Sequence, residues 1–242
     1  MKVQTLVVFL TSVTVTINAQ NQERVIGGSD AQEGQFPYQV SLRVSGRHVC
    51  GGTIISSKFL LTAAHCVENI KATDLYIRAG SIYNNEGGVL INVVRTIIHE
   101  KYRKPKFDVA LLELDYPLEF DNDINFIPLA TEEVQRGEAV IISGWGLQSE
   151  KGQIPDRLQW NTLTALSKKQ CRRNFGKNSK AILCLGHASG QSACYGDSGG
   201  PATYNDRLVG VSNFGVDKCG SESPNGYAKV FFYHDWIIEQ VH

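Results

Sequence analysis

Seven short runs in which apolar and β-branched residues recur with period two dominate this chain: Tyr38–Val44, Thr53–Ile55, Val89–Ile98, Val109–Leu114, Ala139–Ser143, Leu158–Ala165 and Leu208–Val211. Period two sends alternate side chains to opposite faces of an extended backbone, so each run suits a strand with one face in a core. Gly, Asn and Pro clusters interrupt the runs at short intervals, as tight connections require. The pattern predicts an all-β protein of barrel or sandwich architecture. Its body of about 220 residues could form one domain or two compact halves, and no Pro/Ser-rich linker divides it. Two helices stand apart. Ser167-Lys168-Lys169-Gln170 has capping-box spacing and opens a short helix toward Asn174. From about His234 to Val241, Trp236, Ile237 and Val241 share one face, as in a docked terminal helix.

The amino terminus reads differently. Met1-Lys2 is a short basic start, Leu6 to Val15 is apolar but diluted by Thr and Ser, and Ala19 offers a small residue for cleavage. Residues 1–19 are expected to be a secretory signal peptide, too short and polar to span a bilayer, which places the protein outside the cell. Six cysteines follow: Cys50, Cys66, Cys171, Cys184, Cys194 and Cys219. An even number in a secreted chain favours disulfides over metal ligation, and the sequence alone leaves many pairings open. Lys and Arg together number 24, as do Asp and Glu, and the charges are interspersed. Nothing in that balance points to nucleic acid or an anionic membrane as partner.

Three segments carry chemistry. Cys194-Tyr195-Gly196-Asp197-Ser198-Gly199-Gly200-Pro201 sets a serine among glycines that keep side chains away and let backbone N–H groups converge beside its hydroxyl. Leu61-Thr62-Ala63-Ala64-His65-Cys66 ends an apolar strand on a histidine. Phe107-Asp108-Val109-Ala110-Leu111-Leu112 opens an apolar strand with an acid. A serine hydroxyl needs an adjacent base, histidine fills that role near neutral pH, and a buried carboxylate fixes the imidazole tautomer. Taken singly, His65 reads as a core histidine and Asp108 as a strand-start acid.

Together, in the order His, Asp, Ser, the segments resemble the trypsin/chymotrypsin family of serine endopeptidases, over essentially the whole chain from Val25. The resemblance implies two six-stranded antiparallel β-barrels with the active site between them, and a C-terminal helix. His65, Asp108 and Ser198 would be the catalytic residues, with Gly196 and Ser198 N–H groups as the oxyanion hole. It implies the bridges Cys50–Cys66, Cys171–Cys184 and Cys194–Cys219. Arg24-Val25-Ile26-Gly27-Gly28 resembles the family's activation site, so residues 20–24 would be a propeptide and 25–242 the peptidase domain. Cleavage after Arg24 by a protease of basic specificity would free the Val25 amine to pair with Asp197, giving a buried carboxylate the partner it requires. Peptide or protein substrates and protein protease inhibitors are the implied partners, and the chain is expected to be a monomer.

The implied substrate pocket is lined by Ser192-Ala193-Cys194, Asn213-Phe214-Gly215 and Pro224-Asn225-Gly226-Tyr227. A trypsin-like pocket has aspartate at the floor, where this chain has Ser192. A cationic side chain would be desolvated there without a counterion. Gly215 leaves the mouth open for a flat side chain, so the pocket is expected to favour Phe, Tyr or Leu. Asn225 stands where open pockets of the family carry glycine, a departure shared with some invertebrate chymotrypsin-like and collagenolytic members. Asn213 replaces the usual serine and is expected to keep a donor for Asp108. His48, His99, His187, His234 and His242 show no paired ligand spacing, and Gly80–Gly88 holds the single acid Glu86. No metal and no cofactor are expected. The rival reading is a non-catalytic homologue that binds a partner or inhibitor.

Overall fold

The computed structural model describes residues 28–149, 152–188, 191–215 and 219–241. The expected signal peptide, the propeptide, Arg24 and Val25 lie outside the described residues. A two-residue strand β1 (Ser29–Asp30) leads into β2 (Gln39–Val44), β3 (Arg47–Ile54), β4 (Phe59–Thr62), β5 (Leu75–Ala79), β6 (Val89–Ile98) and β7 (Ala110–Leu114). Strands β2 to β7 close an antiparallel barrel in the order β2-β3-β4-β7-β6-β5. The second half holds β8 (Ala139–Gly144), β9 (Gln159–Ala165), helix α1 (Lys168–Phe175), β10 (Ile182–Gly186), β11 (Pro201–Tyr204), β12 (Arg207–Gly215), β13 (Asn225–Lys229) and helix α2 (Val230–Val241). Its strands close through β8-β9-β10-β13-β12-β11 and back to β8, with β1 added at β9. The expected pair of six-stranded barrels and the terminal helix are both present.

Alternation builds these strands. In β5, Leu75, Ile77 and Ala79 are buried while Tyr76 and Arg78 are half-buried. In β7 both faces are covered: Ala110, Leu111, Leu112 and Leu114 are all inaccessible to solvent. Helix α2 leaves the second barrel and lays Val230, Tyr233 and Ile237 into the same core cluster. Trp236 and Val241 flank that contact, Trp236 stacking on His99 at 4.8 Å and donating its indole N–H to Glu100. The core of the first barrel thereby takes in residues of the second half, while the second barrel keeps its own core around Val140, Leu163, Leu185 and Val209.

Several elements exceed their sequence signals. Strand β3 starts at Arg47 rather than Thr53, because Gly51 and Gly52 look like a loop until their partners are seen. Gly51 donates its N–H to the Ser198 carbonyl at 2.8 Å, and a Cβ on Gly52 would lie 2.9 Å from Val40. Helix α2 begins at Val230, four residues before the expected start. Its first turn, Val230-Phe231-Phe232-Tyr233, is β-branched and aromatic, and tertiary burial overrides that local preference. Strands β1, β5, β10, β11 and β13 match none of the seven runs, and β4 shows only through its end at Leu61-Thr62.

Helix α1 follows its local signal. Ser167 accepts the Gln170 N–H, and Gln170 Oε1 accepts the Ser167 N–H, completing the capping box. Ser167→Ala should remove about 1 kcal/mol, read in urea melts as a lower midpoint with an unchanged slope.

Candidate active site

The register of β4 against β7 creates the first half of the site. Thr62 pairs with Ala110 in antiparallel fashion, so the chain leaving β4 meets the chain entering β7. Three residues past Thr62, in a 3₁₀ turn over Ala64–Cys66, stands His65. Two residues before Ala110 stands Asp108, only 1% exposed. One Asp108 oxygen accepts the His65 ring Nδ1–H at 2.7 Å, and the other accepts the His65 backbone N–H at 2.8 Å. The second bond locks carboxylate and turn together. The first, by engaging Nδ1, leaves Nε2 as the ring's basic position, with the Cys66 sulfur 3.8 Å away. The Cys50–Cys66 disulfide staples this turn to β3. Cys50, His65 and Cys66 offer ligand atoms within 4.8 Å of one another, but both sulfurs are spent in the disulfide and no thiolate remains for a metal.

The Ser198 loop is clamped between the barrels. The Ser198 carbonyl accepts from Gly51 on β3, and Gly199 N–H donates to Ser212 O on β12 at 2.7 Å. The N–H groups of Asp197, Gly199 and Gly200 all have backbone acceptors. Those of Gly196 and Ser198 have none among the described residues. Two unclaimed donors therefore flank the serine. Gly196 sits at φ +101°, a conformation that disfavours any side chain. Its carbonyl accepts from His48 Nε2 at 3.0 Å, while His48 Nδ1 pairs with the Ser41 hydroxyl at 2.8 Å. Burial, helped by nearby Arg43, pushes the His48 pKa down to about 4, so the ring is a neutral strut under the Gly196 peptide. In the sequence His48 shows only a lack of paired ligand spacing, and its place two residues before Cys50 is the one hint of this role.

Asp197 points the other way, into the protein. It is 4% exposed, its Oδ1 accepts the Gly146 N–H at 2.8 Å and its Oδ2 accepts the Cys194 N–H at 2.9 Å. Burial outweighs those two donors and raises its pKa to about 6.

His65, Asp108, Ser198, Gly196, Ser192, Asn213 and Asn225 all line one cleft of about 640 Å³. The hydroxyl of Ser198 makes no hydrogen bond to His65, a looseness common in catalytic sites without substrate. Ser192, at the floor, is 2% exposed and its Oγ accepts the Gly220 N–H at 2.7 Å. Asn225 Oδ1 accepts the Ala193 N–H at 3.1 Å, tying β13 to the opposite wall. Gly215 ends β12 opposite Asn225. Asp108 is the sole carboxylate among the described lining residues, and His65 engages it. The Cys171–Cys184 and Cys194–Cys219 bridges are also formed, the latter across this pocket.

One expectation changes. Asn213 gives no hydrogen bond to Asp108. It sits where the β12–β13 register shifts between Ser212 and Phe214, and such a bulge re-aims a side chain. Its Oδ1 is buried without a hydrogen-bond partner. Sequence reasoning also passed over Lys104 and Pro105, which line the cleft beside His65.

Gly146→Ala tests the Asp197 seat. Its Cβ would come within 2.2 Å of Asp197 Oδ2, in a closed interior. The substitution should cost roughly 1–3 kcal/mol by overpacking, seen as a lower urea midpoint and lost reactivity at Ser198.

Comparison with known proteins agrees with this geometry. The family model described as Trypsin matches residues 25–237. Serine protease SP24D of Anopheles gambiae is 44% identical over 88% of this chain and 80% of its own. Hypodermin-A of Hypoderma lineatum is 39% identical over 96% and 93%, and trypsin alpha of Drosophila erecta 38% over 89% and 86%. Among solved structures, neuropsin, a serine protease expressed in the limbic system of mouse brain, superposes with TM-score 0.82 at 28% identity, covering 89% of this chain and 99% of that one. No helix among the described residues is long and apolar enough to cross a membrane. The chain belongs to the trypsin family of serine proteases.

Proposed function

We propose that this protein is a secreted serine endopeptidase, made as a zymogen, that cuts after Phe, Tyr or Leu. The observation that carries the reading is the His65–Asp108 pair opening on the cleft where Ser198 stands between two unclaimed N–H groups. Ser198 Oγ attacks the peptide carbonyl carbon while His65 Nε2 takes its proton. Charge then develops on the carbonyl oxygen and is met by the Gly196 and Ser198 N–H groups. His65, now a cation beside Asp108, passes the proton to the leaving amine. Water, deprotonated by His65, hydrolyses the acyl-enzyme and restores Ser198. No step calls on a metal or cofactor.

The preference for uncharged side chains rests on Ser192 and Asn225. Both oxygens already serve backbone donors of the pocket wall. An Arg or Lys side chain would enter with no counterion among the described lining residues. Several relatives bear the name trypsin, yet that specificity calls for a carboxylate where this chain has Ser192. With protein processed to start at Val25, a covalent serine-directed probe should label Ser198. A peptide panel varying only the residue before the cut should show kcat/KM for Phe or Leu at least about 100-fold above Arg. An Arg preference would overturn the pocket reading. No labelling and no cleavage in folded protein would favour the non-catalytic homologue, to which the unpartnered Asn213 Oδ1 lends some weight.

Activation is read from Asp197. With two N–H donors alone its raised pKa costs stability as pH climbs through about 6. A Val25 ammonium would reverse the sign, depressing the pKa and adding stability that is present above the ordinary carboxylate range and lost as pH falls through it. The processed protein should therefore melt higher than the intact chain at pH 7, and the gap should narrow below about pH 6 and close only as pH falls below about 4, through the depressed value. A pH-independent gap would refute the ion pair. Full activity of an unprocessed Arg24→Gln protein would refute the zymogen.

A further inference from the structure

In a chain whose formal net charge is zero, the stretch between Asp156 and Asp197 holds no carboxylate. Its cations gather at Lys168, Lys169, Arg172, Arg173, Lys177 and Lys180. The first four belong to helix α1, and Lys180 stands in the 3₁₀ turn Gly176–Ala181 that follows. Cys171 is the buried residue of the helix, and its bridge to Cys184 on β10 holds α1 against the second barrel. Lys169, Arg172, Arg173 and Lys180 are exposed.

This arrangement works against the helix itself. The helix dipole favours Arg172 and Arg173 in the last turn, but it disfavours Lys168 and Lys169 in the first, where no acid stands. Lys168 with Arg172 and Lys169 with Arg173 are like-charge pairs four residues apart, each mildly destabilising. Lys168 is compensated by Glu133 at 2.7 Å, an acid it shares with Lys229. Lys169, Arg172, Arg173 and Lys180 have no ion-pair partner among the described residues. A rigid basic face kept at a cost in helix stability suits a surface that meets a polyanion.

The same helix walls a groove of about 590 Å³. Gln170, Arg173 and Asn174 line it from α1, and Thr162 and Thr164, alternate exposed residues of β9, line it with them. His187 lines it as well. Its Nδ1–H donates to the Ala188 carbonyl at 3.0 Å, and its Nε2 is buried without a hydrogen-bond partner among the described residues. Hydroxyls, amides and an open imidazole nitrogen match the hydroxyls of a sugar, while the cations match sulfate groups. No Phe, Tyr or Trp among the described lining residues offers a nucleic-acid base a stacking platform. None of the exposed large apolar side chains lies on α1 or lines the groove, as insertion into a membrane surface would require. We propose that α1 and this groove bind a sulfated polysaccharide. The groove shares no described lining residue with the cleft of His65 and Ser198, so this binding is separable from peptide hydrolysis.

The test titrates the folded protein into a fluorescently labelled heparin octasaccharide at several salt concentrations, with near-UV circular dichroism establishing that each variant is folded. Log Kd should rise linearly with log salt. Arg172→Ala combined with Arg173→Ala should weaken binding about tenfold at low salt, the upper range for two exposed charge pairs. It should also lower the salt slope by about 1.4, the value for two contacts with a flexible polyanion. Thr164→Val and His187→Ala should weaken heparin binding and leave any residual binding of oligo(dT) unchanged. Glu222→Gln, which removes the one carboxylate among the described lining residues, should tighten it. Lys101→Ala combined with Lys106→Ala, in the chain's other basic segment, should change nothing. Equally tight binding of a desulfated octasaccharide, of oligo(dT), of a glutamate peptide or of phosphatidylserine vesicles would overturn the proposal. So would indifference to the Arg172 and Arg173 substitutions, or loss of binding in the Lys101 and Lys106 variant. The readout is binding, so protein that cuts no peptide tests the proposal equally well.

Discussion

The burial of Asp197 is the constraint on which the rest of the site depends. A carboxylate one residue before a half-buried loop serine would ordinarily turn to water. Here it turns inward, against Gly144 and Gly146, where any Cβ would come within 2.2 Å of its oxygens. Turning it inward turns Ser198 outward. Because alternate N–H groups of the loop are taken by backbone acceptors, those of Gly196 and Ser198 are left over. The same carboxylate is held by Gly146, just past β8, and by Cys194, whose disulfide reaches Cys219. One desolvated acid thus couples the nucleophile loop, the second barrel and the pocket wall. Its elevated pKa records that the coupling is made at an electrostatic cost.

The barrels supply what that acid cannot, a fixed distance between two half-sites. His65 and Asp108 belong to one barrel and Ser198 to the other. Between them run the Gly51 to Ser198 bond, the Ser143 hydroxyl donating to Gln39 at 2.7 Å, and the His48 to Gly196 bond. Helix α2 adds an apolar tie, since its Tyr233 and Ile237 lie in the core of the first barrel. Hydrogen bonds set the orientation of the halves, and the shared core resists their separation.

Much of this was legible in the residues, for physical reasons. Strands that alternate polar and apolar residues are readable, so β2, β6 and β8 lie close to their expected bounds, although in β2 the polar Gln39, Ser41 and Arg43 are themselves buried. The capping box at Ser167 is a local interaction and was read from four residues. Strand β13, Asn225-Gly226-Tyr227-Ala228-Lys229, carries no alternation because almost every residue is buried between barrel and pocket. Strand β11 begins with a proline after two glycines, a loop signal by any local measure. His65, Asp108 and Ser198 were legible because nucleophilic chemistry demands those residue types. Asn213 was misjudged because its aim is set by a bulge, and a register shift in one strand pair leaves no trace in a single sequence.

On the proposed reading, selectivity arises in the pocket, where the question is desolvation. A cation that loses its water against Ser192 without gaining a counterion forfeits on the order of several kcal/mol, a near-absolute exclusion. The reason is burial: Ser192 is 2% exposed, and its hydroxyl already accepts the Gly220 N–H. Exchanging the polar groups of the floor should therefore change the class of substrate rather than reorder substrates within a class.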